Sequence, residues 1–145
     1  MTSSHGSAEA SGRTAPQILA LVIGVVFTLV GILGFFVTGF ADFAGHTDKT
    51  LLGFEINPLH NIVHLAIGLA GLALFRTLRT TRTYGWLLAV GYGATFLYGL
   101  FAAGRTDAVN FLSLNAADNV LHLVSTLAGL AIALWPVPHS VRGTR

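Results

Sequence analysis

Between Ile18 and Val37 the chain runs for 20 residues without one charged side chain. At 1.5 Å per residue a helix of that length covers about 30 Å, the thickness of a bilayer's hydrocarbon core. Tyr84 to Ala103 forms a second uncharged stretch. Leu59 to Phe75 and Asn119 to Trp135 are shorter, because His60, Asn61 and His64 open the one and His122 lies near the start of the other. Within lipid every backbone group must find its partner inside the segment, so apolar stretches of this length predict helices. The expected fold is an all-α membrane protein with four transmembrane helices, at about 18–39, 58–75, 84–103 and 117–135, arranged as two tandem hairpins. Composition agrees. Only 14 of 145 residues are charged, or 10%, against about 25% in soluble domains. That excludes a soluble or disordered chain and leaves little for binding nucleic acid. Without cysteine there is no disulfide scaffold, thiolate metal site or cysteine nucleophile.

The placement of the few charges sets an orientation. Arg76, Arg79 and Arg82 lie between the second and third spans, Arg13 precedes the first, and Arg142 and Arg145 follow the fourth. With an even number of spans all six share one side, with Glu9 the one acid there. The other side carries Lys49 and Arg105 with Asp42, Asp48, Glu55, Asp107 and Asp118. The positive-inside rule then places both termini in the cytoplasm. Three arginines beside two spans read as topology determinants or contacts to anionic lipid, so the partner expected is the bilayer and not nucleic acid. Tyr84, Trp86 and Trp135 sit at the cytoplasmic ends, where amphipathic rings favour the headgroup layer. The first span is longer than the 7–15 residue core of a signal peptide and no A-x-A site follows it, so it reads as a retained helix. Residues 1–16 read as a disordered cytoplasmic tail, 17–135 as the transmembrane domain and 136–145 as a second tail.

Residues 57–73 align without gaps on residues 115–131 at an offset of 58, with nine of 17 positions identical. Biased composition yields chance Leu and Ala matches, but it does not easily match Asn, Asn, His and Gly in one frame. The chain then reads as a parallel repeat of two hairpins, with a pseudo-two-fold axis along the membrane normal. Asn57, His60, Asn61 and His64 make an Asn-x-x-His-Asn-x-x-His run that opens a Gly- and Leu-rich span after Phe54, Ile56 and Asn57. This run resembles a family of small four-span bacterial membrane proteins catalogued as a domain of unknown function. The resemblance covers roughly residues 17–135. It implies a four-helix architecture in a bacterial plasma membrane and carries over no reaction. The fourth span departs from the run at Asp118, where the second has His60.

Both repeated spans carry a stripe at alternating spacings of four and three: Asn57, Asn61, His64, Gly68, Gly71 and Asn115, Asn119, His122, Thr126, Gly129. Such residues share one helix face. Small ones let helices approach in lipid and polar ones bond across the seam, so the two stripes are expected to face each other in the bundle interior. Gly24, Thr28 and Gly31 suggest a matching face on the first span. Asn57 before Pro58 suits a helix cap, and Asn115 with Asp118 suits a capping box. Asn57, Asn61, Asn115 and Asn119 are thus expected to form a structural polar seam, with His64 and His122 bonded to it or to each other. The leading function is that of a non-enzymatic membrane protein whose seam is structural or assembles it with itself or with a membrane partner.

Two alternatives use the same side chains. His60 and His64 are one turn apart, as are Asp118 and His122, and imidazole with carboxylate suits a divalent transition metal. His64 and His122 are also candidates for binding haem b between two helices. Histidines titrate near neutrality, which suits a small transporter or proton-handling subunit, although no acid lies in the cytoplasmic half of any span. No P-loop or G-x-S-x-G occurs, and Ser113 and Ser125 have no evident base, so no catalytic residue is assigned.

Overall fold

The computed structural model describes residues 12–136, so most of the two stretches read as tails lies outside it. The described chain is mostly helical, with α1 (Ala15–Thr38), α2 (Pro58–Leu74), α3 (Leu78–Ala102) and α4 (Ala116–Leu134). A small antiparallel pair, β1 (Thr50–Leu51) and β2 (Phe54–Glu55), stands between α1 and α2. α1, α3 and α4 are long and apolar enough to cross a membrane, and α2 is a shorter apolar helix of 17 residues. Large apolar side chains such as Leu29, Phe36, Val90, Phe101, Val120 and Leu127 are exposed on the outer faces. A surface of this kind is unstable in water and suits contact with lipid.

Local chemistry sets the helix ends. α1 begins two residues inside the stretch read as a tail, because Gln17 Oε1 accepts from Thr14 N at 3.0 Å and Thr14 Oγ1 at 2.9 Å. α2 starts where Asn57 Oδ1 accepts from His60 N at 2.8 Å, with Pro58 in the first turn. α3 starts six residues before the expected third span. Thr77 caps it, and the hydroxyls of Thr80 and Thr81 donate to Leu74 O at 2.6 and 3.3 Å, so the open carbonyls at the end of α2 are answered by the start of α3. A helix need not stop at the edge of its apolar segment when its first turns carry Thr and Arg.

α1 packs along α2 and α3 along α4, with sparser contact between the two pairs. The close approach within each pair rests on glycine. A Cβ on Gly24 would lie 2.9 Å from Leu72 N, and one on Gly31 2.7 Å from Leu65 N. In the other pair a Cβ on Gly85 would meet Ala133 N at 2.6 Å, and one on Gly129 Ala89 N at 2.5 Å. The glycine halves of the stripes therefore face their own hairpin partners, not each other across the centre. Only glycine allows backbones so near.

One end of the molecule gathers Arg13, over the Phe75 ring at 5.0 Å, Gln17, which donates to Arg76 O at 2.9 Å, and Arg82, which donates to Trp135 O at 3.0 Å. The opposite end is closed by the two long connections. Thr47 N donates to Ser113 Oγ at 3.0 Å, and Ser113 Oγ donates back to Thr47 O at 3.1 Å. The side-chain amide of Asn57 donates to Gly45 O at 2.9 Å and Phe111 O at 2.7 Å. The β1–β2 turn is Leu52–Gly53, both with positive φ (56° and 90°). That is the backbone of a tight hairpin whose first position normally favours Asn or Gly.

Candidate functional site

Between the helix pairs, near the connection end, aromatic and imidazole rings from all four helices meet. His60 and His64 project from the first two turns of α2 with ring centroids 4.4 Å apart. His122 of α4 lies 6.2 Å from His60 and stacks on Tyr92 of α3 at 5.4 Å. Phe27 of α1 closes the set, 5.1 Å from His64 and 5.4 Å from Tyr92. All three histidines are 1–2% exposed. They line a cavity of about 100 Å³ together with Tyr92, Thr95 and Leu112.

The hydrogen bonds of this region go elsewhere. Asn61 Nδ2 donates to Thr38 Oγ1 at 2.9 Å, and its Oδ1 faces Gly34. Asn119 stands against Gly99 in the same way. Five ring nitrogens, both of His60, both of His64 and Nδ1 of His122, are buried without a hydrogen-bond partner among the described residues. The ring of His60 approaches the backbone at Glu55 and Leu112 without reaching bonding geometry. A buried polar group left unpaired costs on the order of 1–3 kcal/mol.

Asp118 is fully buried, and its Oδ2 accepts from Asn115 N at 2.9 Å and from Glu55 N at 3.1 Å. Asn115 Oδ1 accepts in turn from Asp118 N at 3.0 Å, completing the capping box. The acid thus caps α4 and anchors β2. Asn115 Nδ2 adds a bond to Gly53 O at 2.9 Å.

A family model for a domain of unknown function, DUF4383, matches residues 17–135. The chain belongs to this family. No curated protein and no solved structure matches it. The matched part of this DUF4383 protein runs from the first turn of α1 to the end of α4 and contains the whole ring cluster. Phe27 and Tyr92 were absent from the candidates drawn from sequence, yet the signal was present. Phe27 is the one large residue on a face otherwise made of Ala20, Gly24, Gly31 and Gly34, and Tyr92 stands midway between Gly85 and Gly99 at intervals of seven.

The centre admits some occupants and not others. Small-molecule sites span about 300–1,000 Å³, and the cavity beside His64 and His122, at about 100 Å³, is smaller than that. It is roomy enough for a single ion. As the rings now stand, no three His, Asp or Glu donors among the described residues converge to hold one.

Proposed function

We propose that this is a four-span protein of the bacterial plasma membrane, with both termini in the cytoplasm. Two tandem hairpins form a parallel repeat around a buried centre. Asn57, Asn61 and Asn115 are structural, since their side chains cap α2 and α4 and hold Gly45, Phe111, Thr38 and Gly53. The three histidines are a binding centre for one transition-metal ion, and the protein is not an enzyme. The carrying observation is that five ring nitrogens lie unpartnered around one small cavity. Imidazoles that served only to lock helices would spend those nitrogens on neighbours. A set of three imidazoles without thiolate suits zinc, copper or iron. Asp118 stands beside this set: its Oδ2 is committed to the backbone of Asn115 and Glu55, and its Oδ1 is buried without a partner among the described residues. Uptake requires the rings to turn about their side-chain bonds until three nitrogens converge.

The test is metal analysis of protein purified gently and equilibrated with each ion in turn. About one ion per chain is expected, falling at least tenfold in His60→Ala and His122→Ala. In metal-free protein, His64→Leu should melt at the same temperature as the wild type or higher, because it removes unpaired polar atoms. Folded wild-type protein that takes up none of the ions, with a clear loss of stability in metal-free His64→Leu, would return the histidines to a structural role.

A further inference from the structure

A second, larger cavity of about 310 Å³ lies between α1 and α4, which touch little because each is committed to its hairpin partner. Its walls are aliphatic, with Val22, Val26 and Val30 from α1 and Leu121 and Val124 from α4. Val22, Val26 and Val124 are about half exposed, so the cavity opens sideways on the face turned to lipid. The β1–β2 hairpin lies across it with Leu51, Leu52 and Phe54. Its volume falls within the about 300–1,000 Å³ of small-molecule sites. His64 and Ser125 are the polar side chains in the wall, and no charged side chain lines it.

His64 lines this cavity as well as the smaller one, is 2% exposed, and has no partner for either nitrogen. Leu52 supplies an independent observation. It is 83% exposed and holds a left-handed backbone that leucine adopts only with strain. An apolar side chain kept at a turn position suited to Asn, beside an apolar cavity, has a use there that the turn does not supply.

We propose that this cavity binds a neutral single-chain lipid, its hydrocarbon against the valines and an uncharged hydroxyl or carbonyl oxygen hydrogen-bonded to His64. A bare hydrocarbon would leave the imidazole unsatisfied. A charged head group would be buried with no opposite charge in the wall. The site shares His64, and the Phe27 ring packed against it, with the centre that holds the metal.

The experiment uses the full chain in phosphatidylcholine nanodiscs and a 16-carbon alcohol bearing a mid-chain diazirine, compared with the matching alkane. The alcohol should photolabel saturably within residues 22–30 and 121–128, at least fivefold more than the alkane. His64→Leu should abolish that preference, and Ala128→Phe, which fills the cavity, should cut labelling by both probes at least fivefold. Ala128→Phe should leave metal content at the wild-type value. His60→Ala and His122→Ala should keep the labelling while losing metal, so the two readings fail separately. Labelling that does not saturate, that is equal for alcohol and alkane, or that survives Ala128→Phe in a folded protein would overturn the proposal.

Discussion

At the scale of single residues, Asn57 and Asn115 occupy matching positions but carry different loads. Each side-chain oxygen caps a helix, accepting from His60 N at 2.8 Å and from Asp118 N at 3.0 Å. Asn57 is fully buried and its amide also holds both connections, through Gly45 O and Phe111 O. Asn115 is partly exposed and its one further donation goes to Gly53 O. Losing a cap costs about 1 kcal/mol, and each of the two part-buried bonds to the loop carbonyls contributes about 1 kcal/mol more. Asn57→Ala should therefore lower unfolding free energy by about 3 kcal/mol, and Asn115→Ala by about 1–2 kcal/mol. Denaturation of both variants in one detergent checks the order. Equal losses would mean that the loop bonds of Asn57 contribute nothing. Capping was legible in the sequence because it depends on residues three apart. The loop bonds of Asn57 were not, because Gly45 and Phe111 come from distant parts of the chain.

At the scale of elements, the glycines of α3 divide into two kinds. Gly85 packs against the α4 backbone, and its counterpart there, Gly129, faces Ala89 and Gly85. Gly91 has nothing near the place of its missing Cβ. The same change should act in opposite directions. Gly129→Ala forces two backbones apart and should cost about 1–3 kcal/mol. Gly91→Ala adds helix propensity and should be neutral or stabilising by up to about 1 kcal/mol. Melting curves of the two variants decide it, and a harmless Gly129→Ala would contradict the tight α3–α4 seam. The equivalent face on α1 was readable as Gly24, Thr28 and Gly31. On α3 the working pair, Gly85 and Gly99, is 14 residues apart and hidden by Gly91, which faces open space, and by Gly93, whose missing Cβ would stand at an ordinary 3.6 Å from Thr126.

For the whole molecule, the testable quantity is which end faces which compartment. The end that carries Arg13, Arg76 and Arg82 is opposite the end that carries Asp48, Glu55 and Asp118. The chain has no cysteine, so introduced thiols report without background. In intact bacterial cells an impermeant maleimide should label Asp48→Cys, at a fully exposed side chain, and should reach Gly12→Cys only after lysis. Labelling of both from outside would sink the proposed four-span arrangement with a cytoplasmic N-terminus.

By itself the sequence determined the apolar segments, the segregation of charge, the 58-residue frame and the list of polar side chains near the membrane interior. Each of these follows from composition or from periods of a few residues, which a helix in lipid obeys directly. It did not determine what the polar side chains meet. The stripes were expected to face one another with the histidines bonded to the seam. The fold instead gives the glycines to each hairpin, Asn57, Asn115 and Asn61 to caps, loops and Thr38, and Asp118 to the hairpin strand. The histidines are left beside Phe27 and Tyr92. Only the tertiary structure decides this, because which neighbour satisfies a buried polar atom depends on long-range packing that local spacing does not record.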